Sequence, residues 1–306
     1  MGKMFRITAS AAGAAAALAA AGGFFISSQA AGGKRQSLEE AMKWQQEHYD
    51  TSFYDPLEKT DYTISSFDGY TIHVQLCKAP APTDRYVIIT HGYTDNHIGM
   101  LKYMPMYLDA GFNCILPDLR GHGQNEPAPC TFTALEARDL DCLIKDTRER
   151  YENISMLGLH GESLGAASTI GVLRYTRDVD FAVADCAFAD IENVLTGTIK
   201  VKALSPVLAR SASLASKMHY GYSFDQMRPI DALEGSHVPV LYIHGEKDTF
   251  ITPDNSRRMY EASPAGSEIH FIPDAGHAQS VLCHPDLYRE YLNAFLRKIP
   301  GYSVSP

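Results

Sequence analysis

Residues 61 to 77 read DYTISSFDGYTIHVQLC, with apolar and polar positions alternating on either side of Asp68-Gly69. A period of two sends successive side chains to opposite faces of a strand, and Asp-Gly favours a tight reversal, so the pattern predicts a β-hairpin. From Tyr86 onward the pattern changes to short, continuous apolar runs: YVIIT, FNCILPD, ISMLGLH, DFAVADC, VPVLYIH and EIHFIPD. Strands that are apolar on both faces belong to a parallel sheet covered by helices on each side. Helical spacing between the runs predicts helices over 100–110, 135–151, 164–175, 253–262 and 285–297.

One crossover is overlong. About fifty residues separate the run ending at Cys186 from the one opening at Val238, well beyond an ordinary βα connection. Ser205-Pro206 suits a helix start, and Val207, Leu214 and Met218 fall on a similar face. Residues 191–228 are therefore read as a helical cap insertion whose apolar residues are available to cover the active site. The insertion is locally basic, with Lys200, Lys202, Arg210, Lys217 and Arg228 against Glu192 and Asp225. Such a face suits an anionic substrate or anionic lipid, or is simply solvated. Upstream, Ser37 and Glu40 form a capping-box pattern that starts a short helix carrying Trp44.

The first 35 residues are different in kind. MGKMFR is basic, Ile7 to Ile26 is uncharged and rich in Ala and Gly, and SSQAAGGKR follows. This order predicts a bacterial signal peptide, with Ser28 and Ala30 as small residues before a cut, or an uncleaved N-terminal membrane anchor. Either implies an exported protein, anchored or secreted; an Ala-rich helix or tail of a cytosolic protein is the plainer alternative. The division expected is thus 1–35 as leader or anchor and 36–306 as the main domain, with 191–228 as its cap.

Composition narrows the partners. The chain has 306 residues, 45% hydrophobic and 21% charged, enough for a sizeable core, and its formal net charge of −9 argues against a general nucleic-acid binder. Six cysteines are scattered without a CxxC pair or zinc spacing, so no metal site is expected. Cys77, Cys114 and Cys186 sit in strand-like runs and read as small core residues.

The candidate chemistry lies at 154–168, ISMLGLHGESLGAAS. A serine hydroxyl is a weak nucleophile unless a base takes its proton and donors receive the charge that develops on the substrate. Gly161 and Gly165 flank Ser163 where a strand meets a helix, which lets the two elements approach closely and holds the hydroxyl on a strained turn. A lone GxSxG is also an ordinary βα turn. Here, however, HGEKDTF follows the VPVLYIH run and DAGHAQS follows EIHFIP, placing Asp248 and His277 at the same sheet edge in the order Ser, Asp, His.

Taken with HGYTDN, DLRGHGQ and AGHA, these motifs make residues from about 60 to 298 resemble the α/β-hydrolase superfamily. Within it the chain is similar to bacterial serine hydrolases of the serine aminopeptidase-like or prolyl-oligopeptidase-like branch. The resemblance implies an α/β-hydrolase fold with a mostly parallel central sheet of about eight strands, helices on both faces and a small helical cap. It also implies Ser163, Asp248 and His277 as catalytic residues and the backbone amides of Tyr93 and Leu164 as the oxyanion hole. His91, His122, His160 and His244 are read as structural, and Asp185 and Asp190 as alternative positions for the acid. No cofactor or metal is expected. The partner is a small acyl substrate, with membrane association through the N-terminus and no nucleic acid. Esters need the least leaving-group assistance, so carboxylic ester hydrolysis is expected. Peptidase, amidase or thioesterase action on the same residues is the alternative, and a non-catalytic binding protein the remaining one.

Overall fold

The computed structural model describes residues 22–25, 28, 31–198 and 205–303. Most of the leader, including 1–21, and the Lys200 and Lys202 of the insertion lie outside the described residues, so the signal or anchor expectation does as well.

The hairpin forms as β1 (Lys59–Ser65) and β2 (Thr71–Cys77), antiparallel with Ser65 opposite Thr71. Gly69 takes φ +85° at the reversal, a left-handed conformation that costs glycine nothing. The six apolar runs become β3 (Arg85–Thr90), β4 (Asn113–Pro117), β5 (Met156–Glu162), β6 (Phe181–Asp185), β7 (Val240–Gly245) and β8 (Glu268–Ile272). The sheet has eight strands in the order β1-β2-β4-β3-β5-β6-β7-β8; β2 runs antiparallel to β1 and β4, and every other pairing is parallel. This is the expected mostly parallel sheet.

Strand alternation divides the core into two layers. Val87, Ile89, Leu116, Val183 and Ile243 face α2 (Met104–Asp109) and α8 (Pro285–Leu296), packing with Tyr107, Leu292 and Phe295. Their neighbours Ile88, Ile115, Ala182, Ala184 and Tyr242 face the other way, onto α3 (Glu136–Arg150), α4 (Leu164–Gly171) and α7 (Asp254–Glu261). Because both sheet faces are covered there, β3 to β7 read as nearly unbroken apolar runs, while β8, at the end of the sheet, stays half-buried.

Two helices are shorter than their patterns predict. The 100–110 pattern splits into a 3-10 helix, His97–Lys102, and α2, the break falling just before Pro105, which has no N–H to give the preceding turn. The 164–175 pattern leaves α-geometry at Gly171 and finishes as a 3-10 turn, Val172–Arg174. Upstream, α1 (Leu38–His48) starts with the full capping box: the Ser37 hydroxyl accepts the Glu40 N–H, and the Glu40 carboxylate accepts that of Ser37.

The overlong crossover holds α5 (Ile191–Thr198) and α6 (Ser205–Tyr220). Ile191, Val194, Ala212, Phe224 and Met227 pack with Leu119, Leu164 and Ile251 at the carboxyl edge of the sheet. The expected covering face of α6 is corrected. Val207, Leu214 and Met218 are 54%, 60% and 79% exposed, whereas Ala209, Ala212 and Ser216 are buried. With 3.6 residues per turn these sets lie on opposite sides of one helix, and it is the small side that sits close to the domain. All six cysteines are free thiols.

Candidate active site

β5 ends in the elbow that its glycines allow. Ser163 adopts φ 54°, ψ −112°, a backbone state that non-glycine residues rarely hold. A methyl added at Gly161 would run into the backbone of Gly165 and Ala166, and one at Gly165 into the carbonyl oxygen of Thr90, so both glycines are required by close approach. The turn is tied to the next strand by the Ser163 N–H, which donates to the Asp185 carbonyl at 2.9 Å. Thr94, Cys186 and Ala278 also carry positive φ in the neighbouring loops, which gathers backbone strain around this hydroxyl.

The loop after β8 brings His277 to Ser163, with Nε2 2.9 Å from Oγ, and the loop after β7 brings Asp248 Oδ2 within 2.7 Å of His277 Nδ1. The network fixes the tautomer: Nδ1–H donates to the carboxylate, leaving Nε2 to accept the serine proton. Asp248 is buried and fully engaged. Its Oδ1 accepts the N–H groups of Phe250 and Ile251, each at 2.9 Å, and Oδ2 also lies 3.2 Å from His244 Nε2. Burial alone would raise this carboxyl, but hydrogen bonds from His244 and His277 hold it far below the usual carboxylate range.

The two other acids considered for this position are occupied elsewhere. Asp185 accepts the Ser280 hydroxyl at 3.0 Å and lies 3.0 Å from the Tyr103 hydroxyl oxygen, and Asp190 pairs with Arg258 at 2.9 Å. His91 braces the loop after β3 as expected. Its Nε2 accepts the Leu119 N–H at 2.9 Å, its Nδ1 faces the Gly92 carbonyl at 2.8 Å, and burial lowers its proton affinity so that it stays neutral. Burial likewise pulls His160 down to about 3 and His122 to about 2. His244 does more than the sequence suggested. Its Nδ1 accepts the Ser256 hydroxyl at 2.7 Å, which directs its Nε2–H to the Ile251 carbonyl and to Asp248.

Leu164 opens α4, where no intrahelical carbonyl serves its N–H, and Tyr93 lines the cavity of about 270 Å3 that Ser163 and His277 also line. The wall opposite comes from the N-terminal helix: Ala41, Trp44 and Gln45 of α1 line the same cavity. The preceding segment is tied to the Tyr93 loop. Gly33 N–H donates to the Tyr93 hydroxyl at 3.0 Å, Gln36 N–H donates to the Thr94 carbonyl at 2.7 Å, and the Arg35 guanidinium lies 4.5 Å from the Tyr93 ring centre. Sequence reasoning located α1 by its cap and did not assign it to the site.

A buried ionic cluster adjoins Ser163. Lys102 Nζ lies 2.6 Å from Glu162 Oε2, and Tyr103 donates to that same oxygen at 2.6 Å while also reaching Asp185. The Glu162 side chain thus turns to Lys102, and stays out of the serine–histidine pair. Burial opposes the Lys102 charge, but Glu162, Tyr49 and Asp95 push its proton affinity above that of an ordinary lysine. Asp185 is pushed up to about 6, by burial first and then by Glu162. Cys186, Asp248 and His277 bring potential metal-ligand atoms within 4.8 Å of one another. They fit a cation poorly, because Asp248 and His277 Nδ1 are spent on each other and burial pushes the Cys186 thiol up.

Fold and site define an α/β-hydrolase: an eight-stranded sheet with a strained serine elbow at its carboxyl edge and aspartate and histidine on the loops after β7 and β8. The model of the family described as "Serine aminopeptidase, S33" matches residues 81–234, about half the chain, and the chain belongs to that family. It is 30% identical over 250 residues to "Uncharacterized protein YqkD" of Bacillus subtilis (strain 168), covering 79% of this chain and 81% of that protein. Among solved structures, the Pyrococcus furiosus esterase Pf2001 superposes with a TM-score of 0.64 at 21% identity, over 79% of this chain and 93% of its own. An acylaminoacyl peptidase superposes with a TM-score of 0.62 at 13% identity, over 84% of this chain and 44% of its own. At these identities the two structures speak for the fold.

Proposed function

We propose that the protein hydrolyses carboxylic esters through an acyl-enzyme on Ser163. The observation that carries this reading is the continuous chain from Ser163 Oγ through His277 to Asp248, at 2.9 and 2.7 Å, beginning on a strained elbow. In the cycle, His277 Nε2 takes the serine proton as Oγ attacks the acyl carbon, and Asp248 stabilises the imidazolium that forms. The Tyr93 and Leu164 amides receive the oxyanion. His277 then protonates the leaving alcohol, and activates the water that releases the acid and regenerates the serine.

The cavity supports a short acyl group. At about 270 Å3 it is small for a ligand pocket, and Lys102, Glu162, Asp95 and Gln45 give it polar walls. The Gln45 Oε1 is buried without a hydrogen-bond partner among the described residues, an acceptor that a donor on the acyl group would satisfy. The family's description favours a second reading, amide hydrolysis on the same residues. A panel of p-nitrophenyl esters of graded acyl length, run beside aminoacyl amides, separates the two. Short esters are expected to turn over fastest, with a fluorophosphonate probe labelling Ser163 and Ser163→Ala losing at least about a thousandfold in rate. Full activity in a folded Ser163→Ala protein would overturn the mechanism, and faster turnover of the amides would overturn the ester assignment.

A further inference from the structure

Nine large apolar side chains among the described residues are more than a third exposed, and five of them gather on two adjacent segments. Val207, Leu214 and Met218 form a stripe along the outer side of α6, and Phe24 and Phe25 follow Gly22 and Gly23 on a helical segment beside it. The two segments touch. Gly22 packs near Leu208, Gly23 against Ser211 and Ala212, and the Phe24 ring meets His219 edge-on at 4.6 Å. On a helical net the stripe lies between this segment on one flank and Arg210 and Lys217 on the other. Both cations are exposed, and neither forms an ion pair among the described residues.

We propose that this face docks on an anionic lipid bilayer, with Phe24, Phe25, Val207, Leu214 and Met218 entering the interface and Arg210 and Lys217 meeting lipid phosphates. Two observations select lipid as the occupant. The sequence that precedes Gly22 is uncharged from Ile7 and follows Lys3 and Arg6, so an uncharged, Ala-rich stretch of chain leads into Phe24 and Phe25. The cations flank the apolar stripe on a protein of net charge −9, which complements an anionic surface and opposes general adhesion to one. The helix holding the stripe packs at the carboxyl edge of the sheet, where Ser163 lies, so docking brings the catalytic edge to the membrane.

The test uses the full chain with Leu214→Trp, the native Trp44 signal being subtracted from the unsubstituted protein. On vesicles of equal phosphatidylglycerol and phosphatidylcholine the introduced indole is expected to shift to the blue, and to be quenched at least about twofold by bromines on the acyl chains. Arg210→Glu with Lys217→Glu is expected to weaken binding to these vesicles at least about tenfold at low salt. Hydrolysis of a soluble short ester should stay unchanged in both variants, which verifies folding. An indole that remains in water while the protein cosediments would overturn the proposal, assigning any attachment to the N-terminal stretch alone. A blue shift that grows with protein concentration without lipid would overturn it in favour of a second copy on this face. Unaltered binding after charge reversal would overturn the anionic component.

Discussion

Removing the Lys102 charge should cost far more than removing the Lys102–Glu162 pair together. The two side chains are 4% and 5% exposed, at the wall of the cavity, and their charged atoms are 2.6 Å apart, so solvation of either is slight and each is the other's principal compensation. Lys102→Met leaves Glu162 buried beside Asp95 and Asp185 with no cation against it, and breaking a buried pair in this way costs about 3–5 kcal/mol. Glu162→Gln strands the ammonium instead, at a similar cost. In Lys102→Met/Glu162→Gln both charges are gone, the amide oxygen still accepts the Tyr103 hydroxyl, and Met fills much of the lysine stem's volume. That variant should unfold within about 1–2 kcal/mol of the parent, giving a coupling energy of at least about 3 kcal/mol.

Urea unfolding followed by circular dichroism provides the assay, with unchanged slopes confirming that only stability moved. Single-variant losses that add in the double variant to within about 0.5 kcal/mol would refute the argument, because the two charges would then be solvated independently.

Asp248→Asn should lower turnover of a short ester severely, by about ten-thousandfold, while Asp190→Asn leaves it within a few-fold, because only Asp248 orients the His277 tautomer; the reverse ranking in steady-state kinetics would move the acid to the loop after β6. Gly165→Ala should lower both melting temperature and activity, since its methyl meets the Thr90 carbonyl and pries α4 from β3, and a wild-type melting curve would contradict the close approach. Asp185→Asn tests a linkage whose sign is opposite to that of an ordinary ion-paired carboxylate. The native state holds the Asp185 proton up to about pH 6 against an ordinary 3.8, so the parent loses stability as pH rises through that window, by about 3 kcal/mol in all. The variant should lack this loss, and parallel stability curves from pH 4 to 7 would refute it.

What the sequence made legible is what short-range pattern encodes. The five strands β3 to β7 were readable because a doubly covered parallel strand has no polar face to confuse with a loop, whereas β8 ends the sheet and is only partly buried; Ser163, Asp248 and His277 were readable because each follows a strand at the carboxyl edge. The helix over 100–110 was misjudged where spacing alone passes over a proline, and the face of α6 because small buried residues carry less hydrophobic signal than the large exposed ones opposite. Lys102, Glu162 and Asp185 were illegible as a unit for a different reason. Nothing in the spacing of Lys102 and Glu162 pairs them, and the contact forms because the His97–Lys102 turn, packed beside Trp44 of α1, meets the carboxyl end of β5. The same docking turns Trp44 and Gln45 from residues of a capped surface helix into a wall of the cavity. The candidate site therefore has two layers of specification: an elbow and a Ser163–His277–Asp248 hydrogen-bond chain written locally in glycine and loop motifs, and a cavity wall that exists only once a segment more than a hundred residues upstream of Ser163 has packed against it. Changes in α1 should accordingly alter which acyl groups are accepted while leaving reaction with a small fluorophosphonate intact, because the relay from Ser163 to Asp248 makes no hydrogen bond to that helix.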